Sequence, residues 1–341
     1  MAIQTITSGP RQSNFEVLRI VAMFLVLMVH ANFMSIGSPT AQEIRSNLLP
    51  SATRATLEAI SLFGVNVFVM ISGWFSIKTS IKGLSGLLFQ TLYFGIVILS
   101  CLSIMGQDQF SIGRIYQIAL LHKSGWFVMS YLILYLLAPV LNMFSEYASK
   151  KEFLNFLISY FAMLIIWGHL DWAPDIGMGY GAISMAGIYL LARYARKYIN
   201  INYGGWLFLI CWTLNSALYL LVLEYNIPIV VKSYDNPLII LGALGLIFYF
   251  SHLKINTSRI INYIAKSTFA VYLFHIYPDV LDWFCMICKG LYLDTNGVLC
   301  LLKMSLFLIC IYVSSIILDA PRRLIWLGIC ILIGKIKYKT S

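Results

Sequence analysis

Apolar residues fall along this chain in long unbroken runs, not in the alternating or half-polar patterns of a soluble fold. A helix needs about 20 mostly apolar residues to cross the roughly 30 Å hydrocarbon core of a bilayer. Ten stretches bounded by charge, Pro, Gly or Asn meet that description, at about 15–36, 57–76, 84–105, 125–144, 153–170, 179–195, 205–224, 237–253, 263–281 and 296–318. A further run, Leu324 to Gly334, is too short to span and is expected to lie in the membrane interface. The predicted fold class is all-α integral membrane, with about ten transmembrane helices. One domain is expected over residues 1–341, with spanning helices over 15–318 and a basic tail over 319–341. There is no internal repeat or low-complexity segment to divide it. The longest predicted loop, about 37–56, holds Pro39 and Pro50 and suits a surface loop or small lid.

Composition sharpens the reading. The chain is 60% hydrophobic and only 11% charged, whereas soluble domains are about a quarter charged. A mean hydropathy of +0.82 without a polar block of domain size excludes a soluble enzyme on a membrane anchor, a disordered chain and a secreted disulfide scaffold. The 7 cysteines are mostly isolated in apolar runs, and Cys285 and Cys288 have no second pair or nearby histidine to complete a zinc set. No metal is expected. Most of the 24 lysines and arginines fall in segments on one side of the predicted bundle, which places both termini in the cytoplasm. The net charge of +10 then reads as a rim facing anionic headgroups, so the lipid bilayer and not nucleic acid is its expected partner. The first apolar run carries Glu16 and Arg19 and no cleavage site follows it, so it is expected to remain as a helix.

Charged groups inside a span are costly and mark functional candidates. The first helix has three ionisable groups: Glu16, Arg19 and, after ten residues, His30. An eleven-residue step turns about 1100°, only about 20° beyond three full turns, so Arg19 and His30 share a face about 16 Å apart along the axis. Such a line suits an elongated substrate whose phosphates pair with a guanidinium while a reactive group on a long arm reaches the imidazole. Coenzyme A has that shape. Glu16 is placed to orient Arg19 or to neutralise it. The alternative is a snorkelling arginine and a histidine that caps the far end.

The same residues look like a family. Leu18-Arg19, the apolar gap and His30, with an acid three residues before the arginine, resemble the signature of the membrane acyltransferase family 3, whose members O-acylate glycans and lipids. Phe63 to Phe75, with its Ser72-Gly73-Trp74, is similar to the second-helix pattern of that family. Trp126-Phe127 with Tyr131, Tyr135 and Pro139, then Tyr272 to His275, then Asp319-Ala320-Pro321, resemble its later landmarks. Two departures stand out: Lys78 and Lys82 occupy a loop where many relatives carry arginine, and Asp319 replaces the usual glutamate.

What the resemblance implies is transfer of an acetyl group from cytoplasmic acetyl-CoA, a donor substrate and not a resident cofactor, to a hydroxyl of a cell-surface polysaccharide or lipid-linked saccharide. The setting it implies is a bacterial inner membrane. His30 would be general base or acyl acceptor, Glu16 is the second catalytic candidate, and Arg19, Lys78 and Lys82 would hold the phosphates. Asn66, Ser72, Trp126, Tyr131 and His275 are candidates to meet the acceptor or to support the site. Asn66 could equally bond across helices, Ser72-Gly73 could serve close packing, and His275 could orient His30, bind a hydroxyl or satisfy a carbonyl. Tyr180, Trp172 and Trp283 are candidates for an interfacial belt or sugar stacking. His122, His169 and His252 need no role beyond exposure, and Lys303 inside the last run needs a carboxylate or a lumen to face. A transporter or flippase is the rival reading, in which the same charges form a path. No sequence feature fixes the oligomeric state.

Overall fold

The computed structural model describes residues 12–122, 124–168 and 174–339, so Arg11, Lys123, His169 and Trp172 lie outside it. The described residues form helices joined by short loops, with no strand among them. Helix occurs in all ten predicted stretches. Six helical segments are long and apolar enough to cross a membrane, or seven if one sharply bent pair counts as a single span. The shortfall from ten lies in α8 (Lys150–Gly168), which opens on two lysines and Glu152, and in α9 (Ala182–Tyr198) and α11 (Pro237–His252). At 17 and 16 residues, α9 and α11 are about 25 Å long, shorter than the hydrocarbon core.

The centre of the bundle is α1 (Ser13–Val29), which packs against α4 (Phe63–Phe75). A Cβ on Gly64 would stand 2.8 Å from the Ala22 carbonyl, and one on Gly73 would stand 2.4 Å from the Tyr189 carbonyl of α9. These glycines let two backbones approach α4 from opposite sides, the usual device of packing in lipid. The short α3 (Leu48–Ser61) leads into α4 with a break only at Leu62, so together they form a 28-residue segment. Ahead of it, α2 (Ala41–Ser46) sits in the predicted lid loop behind a capping box made by Thr40 and Glu43.

After α5 (Ile81–Ile104), α6 (Ile112–Ala119), α7 (Gly125–Tyr147) and α10 (Gly204–Tyr225), the predicted ninth span departs from a simple rod. It is divided into α12 (Arg259–Ala265) and α13 (Thr268–His275), and α14 (Pro278–Asp294) turns away at 90°. Pro278 causes the turn: it lacks an N–H and its ring excludes the preceding helical turn, yet it suits the first position of a new helix. The break leaves His275 on the last turn of α13.

The carboxyl-terminal reading needs correction. Instead of a span ending at 318 and a separate interfacial piece, α15 runs from Gly297 to Lys339 as one 43-residue helix with Pro321 inside it. Trp326 stacks on Phe89 of α5 at 5.2 Å, eight residues inside the start of α5. The run from Leu324 therefore continues beside α5, and Asp319, Arg322 and Arg323 lie within the bundle and not in a solvated tail. Asp319 is fully buried and Arg322 is 7% exposed.

Candidate active site

Arg19, Met23 and Val26 lie at successive turns of one face of α1, and His30 follows at the next. The helix changes character there: residues His30–Met34 form a π-helical turn, a distortion common at functional sites. The backbone N–H and hydroxyl of Ser35 both donate to the His30 carbonyl, the latter at 2.9 Å.

His30 Nδ1 lies 2.8 Å from His275 Nε2, and His275 Nδ1 lies 2.6 Å from the Val271 carbonyl. The carbonyl can only accept, so His275 Nδ1 carries a proton. In a neutral pair its Nε2 then holds a lone pair, and His30 Nδ1–H must donate to it. The Nε2 of His30 is left unprotonated, with a lone pair directed away from the partner ring. His275 is completely buried, so the broken end of α13 fixes the tautomer of a half-buried histidine on α1.

A cavity of about 270 Å³ is lined at one place by Arg19 and at another by Tyr272, a residue in ring contact with His275; neither His30 nor His275 is itself part of the wall. Its wall includes Met23 and Val26 of α1, Ser72 of α4, Gln90 of α5, Tyr131 of α7 and Tyr272 of α13. The last of these packs edge-on against the His275 ring at 5.9 Å. A pocket of that volume matches a flexible arm better than a whole nucleotide. At its head, Arg19 Nη1 donates to Glu16 Oε1 at 2.5 Å, and the Glu16 side chain is 4% exposed against 29% for Arg19. Glu16 thus belongs to Arg19; it stands fourteen residues, or about 21 Å of helix, from His30.

Ser72 and Tyr131 meet inside the cavity, hydroxyl to hydroxyl at 3.1 Å. The packing role at Ser72-Gly73 falls to Gly73, which leaves Ser72 for the cavity wall. Lys78 and Lys82 are exposed in the loop and first turn before the body of α5, and neither lines the cavity. Asn66 is fully buried and donates to the Tyr234 carbonyl at 2.8 Å, so it ties the 226–236 segment to α4. Trp126 stands outside the cavity wall with Tyr180 and Tyr234 at ring distances of 4.7 and 5.8 Å. His122, His252 and Lys303 are exposed.

Two clusters escaped the sequence reading. In the first, Asp319 receives Gln90 Nε2 at 3.4 Å, Ser267 Oγ at 2.8 Å and Arg322 Nε at 2.5 Å, with Arg323 Nε at 3.4 Å. Gln90 joins this buried network to the cavity. The spacing of Asp319 to Arg322 and Arg323 is that of helical neighbours, a signal available in the sequence but hidden by the expectation of a tail. In the second, at the His30 end, Glu58 is fully buried and lies 3.2 Å from Lys232 Nζ. That ammonium also donates to Ser38 at 2.8 Å and sits 3.6 Å over the Phe33 ring. Glu58 falls inside a predicted span, a signal that could have marked it.

The model of an acyltransferase domain, acyltransferase family 3, matches residues 12–320, nearly the whole chain. The chain belongs to this family and is a multi-pass membrane protein of it. No curated protein matches. No solved structure matches.

Proposed function

We propose that this acyltransferase moves an acetyl group from cytoplasmic acetyl-CoA to a hydroxyl of a surface polysaccharide or lipid-linked saccharide in a bacterial inner membrane. The observation that carries the reading is a cavity lined by Arg19 and by Tyr272, whose ring packs on His275, the partner that holds His30 Nε2 unprotonated. Arg19, fixed by Glu16, would take a phosphate of the donor at the mouth, with the exposed Lys78 and Lys82 adding charge nearby. The pantetheine arm would fill the cavity past Ser72, Gln90 and Tyr131, which offer hydroxyl and amide partners to its two amides.

At the far end, His30 Nε2 would remove the proton of the acceptor hydroxyl as its oxygen bonds to the thioester carbon. Breakage of the C–S bond then releases coenzyme A thiolate, which recovers the proton from the imidazolium. The same lone pair would also serve an acyl-imidazole route. In either route His275 holds the ring and accepts its second proton as a hydrogen bond. Trp126 and Tyr180 at the His30 end would offer aromatic faces to a sugar.

Transport remains the competing reading because α13 and α14 form a broken span, a feature of transporter sites. Acetyl-CoA consumption by the purified protein in nanodiscs, with candidate glycans present, separates the two. We expect release of free coenzyme A that is abolished by His30→Ala and requires more acetyl-CoA with Arg19→Ala. Absence of both binding and turnover in the wild-type protein would pass the case to transport.

A further inference from the structure

Tyr272 stands one helical turn before His275 and is 5% exposed. Its ring stacks parallel to Phe269 and lies 5.3 Å from Phe127, and it forms part of the cavity wall. No group among the described residues accepts its hydroxyl proton. Leaving a buried hydroxyl without an acceptor is destabilising, so its placement needs a reason beyond packing.

The phenol oxygen is directed at the start of α7. A Cβ built on Gly125, whose φ is +77°, would stand 2.6 Å from it, so only glycine leaves room there. The Phe127 backbone, in the first turn of α7, faces the phenol oxygen. An N–H can only donate, so any bond from it uses the phenol oxygen as acceptor and leaves the phenol proton free. The first turn of a helix has N–H groups without intrahelical acceptors, and Ser124 does not cap them. Its hydroxyl donates instead to the Leu121 carbonyl at 2.6 Å. A free O–H donor and the positive end of a 23-residue helix therefore meet at the end of the cavity nearest the histidine pair.

We propose that Tyr272 is a further catalytic residue, whose hydroxyl donates to the thioester carbonyl oxygen as it becomes an oxyanion, with the first turn of α7 adding its field. The inference rests on the acyl-transfer reading. As the acceptor oxygen bonds to the carbonyl carbon, its proton passes to His30 Nε2 and the carbonyl π pair moves onto oxygen, facing Tyr272. When that pair returns, the C–S bond breaks, and the leaving thiolate takes the proton from His30. Tyr272 keeps its own proton throughout. Donors fixed in advance of the charge, in a site without water, are among the strongest contributors to catalysis.

The test is Tyr272→Phe, which keeps the ring and removes only the hydroxyl. The assignment expects kcat for acetyl-CoA consumption to fall by about 10²–10³-fold with KM for acetyl-CoA within about twofold. A trifluoromethyl ketone analogue of acetyl-CoA, which adopts a tetrahedral oxygen-bearing form, should bind wild type more tightly than the matching alkyl thioether. The variant should lose that preference. If Tyr272→Phe is poorly folded, 3-fluorotyrosine at 272 preserves the site while making the phenol a stronger hydrogen-bond donor, and kcat should change with KM unaltered. A variant with full kcat, a loss confined to KM, or an unaltered fluorotyrosine protein overturns the assignment and leaves acyl transfer standing. Wild-type protein that consumes no acyl-CoA overturns both.

Discussion

His30 and His275 are 245 residues apart in the chain, yet one hydrogen bond of 2.8 Å sets which nitrogen of each ring carries a proton. Neither ring would hold a defined tautomer without the other and the Val271 carbonyl beyond it. His275→Phe removes the acceptor and frees His30 to exchange tautomers. We expect kcat to fall by about 10²-fold or more, within the range for general acid–base contributions, while KM for acetyl-CoA changes little. His275→Asn, whose amide oxygen can accept from His30, should recover part of the rate. Nitrogen NMR of labelled histidine checks the cause directly: wild type should show His30 protonated at Nδ1, and His275→Phe a mixture.

Asp319 is the shared acceptor for Gln90, Ser267, Arg322 and Arg323. Removing one partner of a buried ion pair strands the other charge, at a typical cost of about 3–5 kcal/mol. Asp319→Ala should therefore lower the thermal unfolding midpoint in detergent sharply. Adding Arg322→Met and Arg323→Met should restore much of it. A single variant as stable as wild type would mean that water reaches these arginines.

Gly73 and Gly290 make a matched pair. A Cβ on Gly73 would collide with the Tyr189 carbonyl at 2.4 Å, whereas one on Gly290 meets nothing within 4 Å. Gly73→Ala should cost about 1–3 kcal/mol, as overpacking does, and should disturb Ser72 beside it. Gly290→Ala, inside α14, should gain up to about 1 kcal/mol from helix propensity. Thermal unfolding of both variants decides it, and equal effects would argue against the close α4–α9 approach.

Glu43 supplies a pH effect away from the cavity. The Thr40 backbone N–H, together with Arg54, holds its carboxyl below the usual range. Because the folded value is the lower one, this contribution is complete above the unfolded value of about 4.3 and fades as pH falls through the folded value. Amide protection at Glu43 and Ile44, corrected for the pH dependence of intrinsic exchange, should fall on acidification below about pH 4. In Thr40→Ala exchange should be faster at neutral pH and respond less to acid.

The sequence made the line from Arg19 to His30 legible because both residues sit on one uninterrupted helix, where rise and turn are fixed. It left His275 open among three roles, since a contact between distant segments has no periodicity to reveal it. Residue type could not separate Asn66, which anchors a loop backbone, from Ser72, which lines the cavity. Hydropathy located the helices but misread the carboxyl end: three charges in five residues look like the edge of a membrane until a partner helix supplies Gln90 and a neighbouring loop supplies Ser267. The bend before α14 was written in Pro278, but the apolar residues on either side masked it.

Both ion pairs of Asp319 are made within its own helix, to the residues three and four positions later. They form as soon as α15 coils, before any other helix is near. During synthesis this segment can therefore leave the translocation channel for lipid carrying one net positive charge in place of three separate ions. Gln90 and Ser267 then receive a pair that is already assembled, and Arg323 comes to rest over the Tyr263 ring at 4.2 Å. Asp319 thus differs from Glu58, whose partner Lys232 lies on a distant segment and must wait for company.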